Sequence, residues 1–383
     1  MLATLLLVGG AWMTQGPTDA FGEVASEVRR GITRGLYPGA VVVVGRRDSI
    51  LYAEGFGHFT WDRRTHVPKP AESLWDLASL TKVVATTTAA AVLVERGRLD
   101  LDAPVGTYLP AFAGGGRSAV TVRMLLDHTS GLPPYLPFFR WAGSRRAAVD
   151  SVFAAPLDFV PGDTARYSDL NAILLGFIVE AVAGEPLDQF TQREIFAPIG
   201  MHLTLFRPAD SLRPRIVPAR AEGGKPIPGL LSDQNAVALG GVAGHAGLFS
   251  TGIDLARFAQ AWLAATGTPE GQLLQVTTVH TFLEHRPRSG SRLLGWDSPD
   301  SVMVHPSVFG SLSTRTAFGH TGWTGTLLWM DPARDLFVVF LTNRSLAPKR
   351  RNSIVEMREV RSRVSDAVIR ATGLPCEAVA TSC

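Results

Sequence analysis

The run Ser79-Leu80-Thr81-Lys82 sets a hydroxyl and an amine three residues apart, a spacing that brings both to one face of a helix. Leu77, Val83, Val84 and a run of small residues surround the pair. Partial burial without a full counter-charge would lower the lysine pKa and make neutral amine available as a base. A serine hydroxyl needs such a partner, because alone it is a weak nucleophile. Lysine occurs only at Lys69, Lys82, Lys225 and Lys349 in an otherwise arginine-rich set of cations, so a lysine in an apolar setting stands out. A bare Ser-x-x-Lys string also recurs by chance, as a helix start with a solvated lysine.

Two further segments carry groups that could share the proton traffic. Tyr167-Ser168-Asp169 follows the turn Pro161-Gly162-Asp163 and opens a helix. There a phenol near a cation can relay a proton, and the neighbouring carboxylate can hold the lysine. Gly319-His320-Thr321-Gly322-Trp323-Thr324-Gly325 directly precedes a strand over Thr326 to Met330. Its glycines let backbone approach a ligand, and its amide N–H groups can receive a developing oxyanion. Other chemistries lack their residues. No Gly-x-Ser-x-Gly elbow is present, and Gly224-Lys225-Pro226 is not a phosphate loop. His280, Glu284 and His285 do not have zinc-hydrolase spacing.

The elements that must position these groups come from both ends of the chain. Phe21 to Arg34 has helical apolar spacing, and Gly39 to Val44 and Ile50 to Glu54 read as a hairpin around Arg46-Arg47-Asp48. Thr326 to Met330 and Leu336 to Thr342 flank the turn Asp331-Pro332-Ala333-Arg334-Asp335, and a closing helix spans about Ser353 to Thr372. The middle predicts helices over Leu77 to Gly97, Leu170 to Ala183 with Ser168 or Asp169 as N-cap, and Leu255 to Ala265 capped by Asp254. The expected fold class is α/β (α+β), an antiparallel sheet flanked by helices and built from both chain ends, with a mainly helical insertion. The expected divisions are an extension over 1–20, an α/β domain over 21–85 and 291–375, a helical domain over 86–290, and a tail over 376–383.

Order and spacing together give a resemblance. Ser79-x-x-Lys82, then Tyr167-Ser168-Asp169, then His320-Thr321-Gly322 before a C-terminal strand, is similar to the serine β-lactamase and penicillin-binding superfamily, most closely its class C-like branch of esterases, D-aminopeptidases and D,D-peptidases. The stretches Leu74 to Tyr108, Leu125 to Leu132 and Gly244 to Ser250 resemble that branch too, so the likeness covers roughly Phe21 to Gly373. It implies a β-lactamase/transpeptidase-like fold. It also implies Ser79 as nucleophile, Lys82 as its proton acceptor, Tyr167 and His320 in the relay, and the backbone N–H groups of Ser79 and Trp323 as oxyanion hole. Asp169, Thr321 and Gly322 would support them, whereas His128, Ser130 and His245 fall in supporting segments.

Two departures bear on chemistry. Asp169 stands where the resembled motif often has asparagine, and an anion there should hold Lys82 charged and favour Tyr167, or the Tyr167–His320 pair, as operating base. His320 stands where many relatives carry lysine. That lowers the fixed positive charge available to a substrate carboxylate and favours esters or amides without one.

The expected function is a serine hydrolase forming an acyl-enzyme on carboxylic esters, small D-amino-acid peptides or β-lactams, with no metal or organic cofactor. A D-Ala-D-Ala carboxypeptidase or β-lactamase of the cell envelope is the nearest alternative. A penicilloyl- or peptidoglycan-binding protein without turnover is the non-enzymatic one. Composition agrees with an enzyme: 383 residues, 46% apolar and 19% charged, suffice for a large core, and a net charge of +3 gives no footprint for nucleic acid. The apolar run from Met1 to Met13 lacks a preceding Lys or Arg yet reads as an export signal, too short for a comfortable membrane span. Export to the periplasm or beyond is therefore expected, with the cytoplasm as the alternative. Cys376 and Cys383, the only cysteines, could close a small tail disulfide in an oxidising compartment.

Overall fold

The β-branched run Gly39-Ala-Val-Val-Val-Val-Gly-Arg46 forms the centre of the sheet because both of its faces are covered. Ala40, Val42 and Val44 pack with Val24 and Val28 of helix α1 (Gly22–Thr33), while Val41 and Val43 face a second core that includes Leu255 and Ala259. The computed structural model describes residues 20–267, 273–286, 289–299, 307–348 and 353–373. The apolar N-terminal run up to residue 19, Cys376 and Cys383 lie outside the described residues.

The main sheet contains β1 (Gly39–Arg46), β2 (Ser49–Gly57), β3 (Phe318–Thr321), β4 (Leu327–Asp331) and β5 (Leu336–Thr342). Its spatial order is β2-β1-β5-β4-β3, antiparallel throughout, so the two chain ends meet where β1 pairs β5 with Ala40 opposite Thr342. The fold is therefore the expected mixed α/β arrangement, an antiparallel sheet flanked by helices. The β4–β5 turn closes as anticipated at Pro332–Arg334, with Asp335 in the left-handed region.

Among the middle helices are α2 (Asp169–Ala183) and α3 (Gly252–Ala265), and the described chain ends in α4 (Ile354–Ala371). Helices α1 and α4 lie together on one face of the sheet, and α3 covers the other. Gly252 makes that approach possible: a Cβ there would come within 2.8 Å of Val41 and 2.9 Å of Val43. Among the described residues no single helix is long and apolar enough to cross a membrane.

Several local expectations are corrected. Leu77 and Ala78 are not helical. The Asp76 carboxylate captures the Ala78 N–H at 2.9 Å, and Ala78 takes φ +47°, a turn that delivers Ser79 to the helix entrance. The first turns, Lys82–Thr87, are wound wide as π-helix before α-helix resumes at Thr88–Glu95, and the Thr88 hydroxyl donates to the Val83 carbonyl five residues back. Asp254 does not cap α3. Thr251 accepts from the Asp254 N–H, and the Asp254 carboxylate is spent on Leu203 N–H at 2.7 Å and Thr204. Ser168 occupies the N-cap place of α2, but its hydroxyl donates to the Pro133 carbonyl at 2.6 Å. The segment expected only to precede a strand, around His320, is itself strand β3.

Candidate active site

The Ser79–Lys82 spacing does what a helical turn dictates: Lys82 Nζ donates to Ser79 Oγ at 3.0 Å. The ammonium also donates to the His245 carbonyl at 3.2 Å and lies 2.7 Å from Asp169 Oδ1. Burial alone would push the amine down, but the Asp169 carboxylate, and after it Tyr167, more than reverse this and raise its pKa well above the usual lysine range. Lys82 is thus a charged group. The neutral amine suggested by the Ser-x-x-Lys spacing is overruled by the counter-charge that Asp169 brings from the start of α2.

Tyr167, two residues before Asp169, is fixed from several sides. Lys82 Nζ sits 5.0 Å and the Arg292 guanidinium 5.1 Å from its ring centre, and the His128 and His320 rings pack at 4.8 and 5.9 Å. Burial pushes the phenol upward, opposed by the Lys82 charge and by hydrogen bonds with Lys82 and Ser79. His320 is buried, and its Nδ1 lies 2.8 Å from the Thr321 carbonyl. A carbonyl only accepts, so the proton sits on Nδ1 and Nε2 carries a lone pair, which has no protein partner among the described residues. Burial, Lys82 and Arg292 hold this imidazole neutral, well below the ordinary histidine range. His128 is held neutral by burial, Arg292 and Lys82, and its Nδ1 is engaged by Ser168 N–H at 3.2 Å and Asn171 at 3.0 Å. With Ser130 donating to Asn171 at 2.5 Å, this segment buttresses the start of α2.

The third wall is the turn between β3 and β4. Thr324 donates to the Asp76 carbonyl at 2.9 Å and Thr326 to the Leu77 carbonyl at 3.1 Å, locking the turn to the backbone just before Ser79. Gly322 is required by closeness: a Cβ would lie 2.2 Å from Thr326 Oγ1 and 2.5 Å from the Leu77 carbonyl. Arg361 of α4, buried, donates to the carbonyls of Gly322, Thr326 and Gly325 at 2.7, 2.9 and 3.3 Å, and burial brings its pKa down to about 9. Arg344 donates to the Trp323 carbonyl at 2.9 Å and stacks 4.3 Å from that ring. Among the described residues, the N–H groups of Ser79 and Trp323 donate to no protein acceptor.

Ser79, Tyr167, Asp169, His320, Thr321 and Trp323 all face one cleft of about 690 Å³. Arg292, Arg344, Arg358 and Arg361 also line it. These arginines bring positive charge to the cleft from other parts of the chain. Asp233, also on the cleft, contacts His245 Nε2 at 3.1 Å. Burial pushes the Asp233 carboxyl up, but His245 and the Ala236 N–H pull it down to about 2. Donor atoms of Asp169, Asp233 and His245 lie within 4.8 Å of one another. The Lys82 ammonium already pairs with Asp169 there, so a cation at this spot would meet a like charge.

The sequence matches the Beta-lactamase family over residues 24–360. The chain belongs to the β-lactamase family. It is 31% identical over 346 residues to an Escherichia coli (strain K12) protein provisionally named D-alanyl-D-alanine carboxypeptidase, covering 82% of this chain and 80% of that one. It is also 31% identical over 368 residues to the N-acetylmuramyl-L-alanine amidase of Bacillus subtilis (strain 168), covering 87% and 83%. Among solved structures, the hydrolase EstCE1, described as having promiscuous acyltransferase activity, superposes with TM-score 0.74 at 23% identity, covering 92% of this chain and 99% of that one. The D-alanine carboxypeptidase AmpC of Burkholderia cenocepacia superposes with TM-score 0.71 at 19% identity, covering 93% and 99%. Both structures show the shared fold. The protein is accordingly a β-lactamase-family serine hydrolase, the coarser part of what its motifs imply.

The sequence reading missed Asp76, Asp233, Arg292 and Arg361. None of them falls in a motif, and a lone aspartate or one arginine among many carries no local signature. The signal available for Arg361 was its place on a helix face otherwise filled by Met357, Val360 and Val364.

Proposed function

We propose that the protein cleaves small D-amino-acid peptides and carboxylic esters of similar size through an acyl-enzyme on Ser79. The observation that carries this is the Ser79–Lys82–Asp169 chain of contacts, 3.0 and 2.7 Å, opening onto a cleft that also presents Tyr167 and His320. Ser79 Oγ attacks the substrate carbonyl carbon while its proton passes to the Tyr167 oxygen. Tyr167 enters the step as the phenolate, paired with the Lys82 ammonium, and becomes the neutral phenol as the proton arrives, while Lys82 stays protonated. The carbonyl oxygen moves onto the free N–H groups of Ser79 and Trp323, where fixed donors stabilise it without reorganisation. Tyr167 returns the proton to the departing amine or alkoxide, and water releases the acyl group by the reverse path. Neutral His320 offers its Nε2 lone pair as an acceptor that orients the proton carriers.

The arginine-lined cleft favours a leaving group that bears a carboxylate, as the C-terminal residue of a D,D-peptide does, and the name of the E. coli relative fits that class. Ester cleavage is kept because His320 occupies the place of a lysine and the cleft wall carries Trp323, Tyr135 and Phe139. The test is active-site labelling with a fluorophosphonate and with fluorescent penicillin, wild type against Ser79→Ala. Steady turnover of p-nitrophenyl acyl esters and release of D-alanine from an acylated D-Ala-D-Ala peptide should accompany labelling. One burst without turnover would instead identify a penicilloyl-binding protein, and labelling that survives Ser79→Ala would remove the nucleophile.

A further inference from the structure

The cation nearest Tyr167 besides Lys82 belongs to no motif. Arg292 sits in a tight turn whose ends are bridged to each other, Arg292 to Asp297, and whose Leu293 N–H is bonded to the Trp296 carbonyl at 2.9 Å. Asp297 holds the guanidinium by an Nη1–Oδ2 contact of 2.8 Å. The Asp297 backbone exchanges two hydrogen bonds of 2.9 Å with Gly319, the residue immediately before His320. The turn is also pinned on its far side, where Gly295 N–H donates to the Leu126 carbonyl at 2.9 Å. A side chain on Gly295 would strike Thr87, 2.1 Å away. Arg292 is therefore not a loose surface cation. It is built onto the edge of β3, three-quarters buried, with its guanidinium 5.1 Å from the Tyr167 ring centre that Lys82 approaches to 5.0 Å.

We propose that Arg292 is a positioning residue that supplies, from the turn stitched to β3, the fixed positive charge that His320 does not carry, acting through Tyr167 and His320. The proposal rests on the acyl-enzyme reading for its catalytic consequence. The charged or titratable groups around Tyr167 are Lys82 and Asp169 from the helix starts, Arg292 from the turn, and the His128 and His320 rings. Around His320 they are Lys82, Arg292 with its partner Asp297, Arg361, Tyr167 and His128. Arg292 does two things in that set. It favours the phenolate form of Tyr167, the form able to receive the Ser79 proton. It also disfavours imidazolium at both histidines, keeping His320 an acceptor.

The experiment compares wild type, Arg292→Gln and Arg292→Lys. NMR titration of His320 needs no substrate and is independent of whether the chain turns anything over. Removing the cation should move the His320 midpoint to higher pH in Arg292→Gln and leave it near the wild-type value in Arg292→Lys. Burst kinetics with an activated ester should show acylation about tenfold or more slower in Arg292→Gln, with its acid limb moved to higher pH in step with His320 and partial rate recovery in Arg292→Lys. A His320 midpoint that does not move in a folded Arg292→Gln, or equal loss in both variants without movement of the limb, overturns the proposal and leaves Arg292 as a staple of the turn. Loss confined to carboxylate-bearing substrates with the limb unmoved also overturns it, because Arg292 would then grip substrate. If Arg292→Gln does not fold, Arg292→Lys decides alone: a folded lysine variant whose acid limb departs from wild type counts against the proposal. A moved His320 midpoint in a chain that acylates nothing would sink the proposed function and leave the electrostatic assignment standing.

Discussion

Lys82 and Asp169 form a contact of 2.7 Å at the meeting point of two helix starts, with the lysine side chain 4% exposed and the carboxylate 17%. This pair decides the protonation pattern of the site. An ammonium so held donates to Ser79 and stabilises charge on its neighbours, so the proton taken from the serine must go elsewhere, and Tyr167 is the group in place.

Replacing the carboxylate by its amide isolates this effect. In Asp169→Asn the cause that raises the Lys82 pKa is gone and burial, which lowers it, remains. The alkaline limb of acylation should move to lower pH by about 1–3 units, read from burst rates against pH. Stability follows the same sign. A raised folded-state pKa contributes stability below the unfolded lysine value and loses it as pH rises through the folded value, so the variant should lack this term at neutral pH and melt earlier, by up to about 3 kcal/mol. An unchanged pH profile would remove the argument for Tyr167 as base.

The close approach at Gly322 makes the oxyanion wall sensitive to one methyl group. A Cβ would collide with the Leu77 carbonyl and with Thr326, so Gly322→Ala must push the turn away from Ser79 and carry the Trp323 N–H with it. The expected loss in acylation rate is about 100-fold or more, with substrate affinity less affected. Near-normal rates in this variant would show that Trp323 N–H is not part of the hole.

Legibility in the sequence tracked the distance over which the physics acts. The Ser79–Lys82 contact follows from one helical turn, and β1, β2, β4 and β5 followed from β-branched runs and the Asp331–Asp335 turn. The errors came where a polar side chain had a distant competitor: Asp254 was drawn to Leu203 and Thr204, Ser168 to Pro133, and Asp76 to Ser232. The strands Trp75–Asp76 and Leu248–Ser250, which fix the Ser79 turn, are too short to show any period. Tyr167 and His320 carry no local mark of function. They were found through the order of the motifs, and Arg292 and Arg361, outside any motif, were not found.

Arg361 should tolerate no conservative exchange. Its planar fork spans three carbonyls of the β3–β4 turn, which the single ammonium of Arg361→Lys cannot reach together. The variant should lose about 1–3 kcal/mol of stability through unsatisfied carbonyls, measured by denaturant unfolding. Acylation should fall in the same variant, because the carbonyl of Gly322 belongs to the peptide whose N–H is that of Trp323. A stability loss with unaltered acylation would separate the clamp from the chemistry.

The Asp233–His245 contact offers a further test, because the backbone carbonyl of His245 is itself an acceptor for Lys82. Tying the imidazole to Asp233 fixes the residue that fixes the lysine. The Asp233 carboxyl, depressed to about 2, contributes stability that is present above the ordinary carboxylate range near 4 and fades as pH falls toward 2. Asp233→Asn should therefore cost about 1.5–3 kcal/mol at pH 7 and progressively less on acidification, so that its unfolding curve converges on wild type at low pH. The acylation rate at pH 7 should fall severalfold, while the Lys82-dependent alkaline limb moves to lower pH by less than in Asp169→Asn, since Asp169 is untouched. A constant stability difference down to pH 2 would show that the contact is not an ionic one.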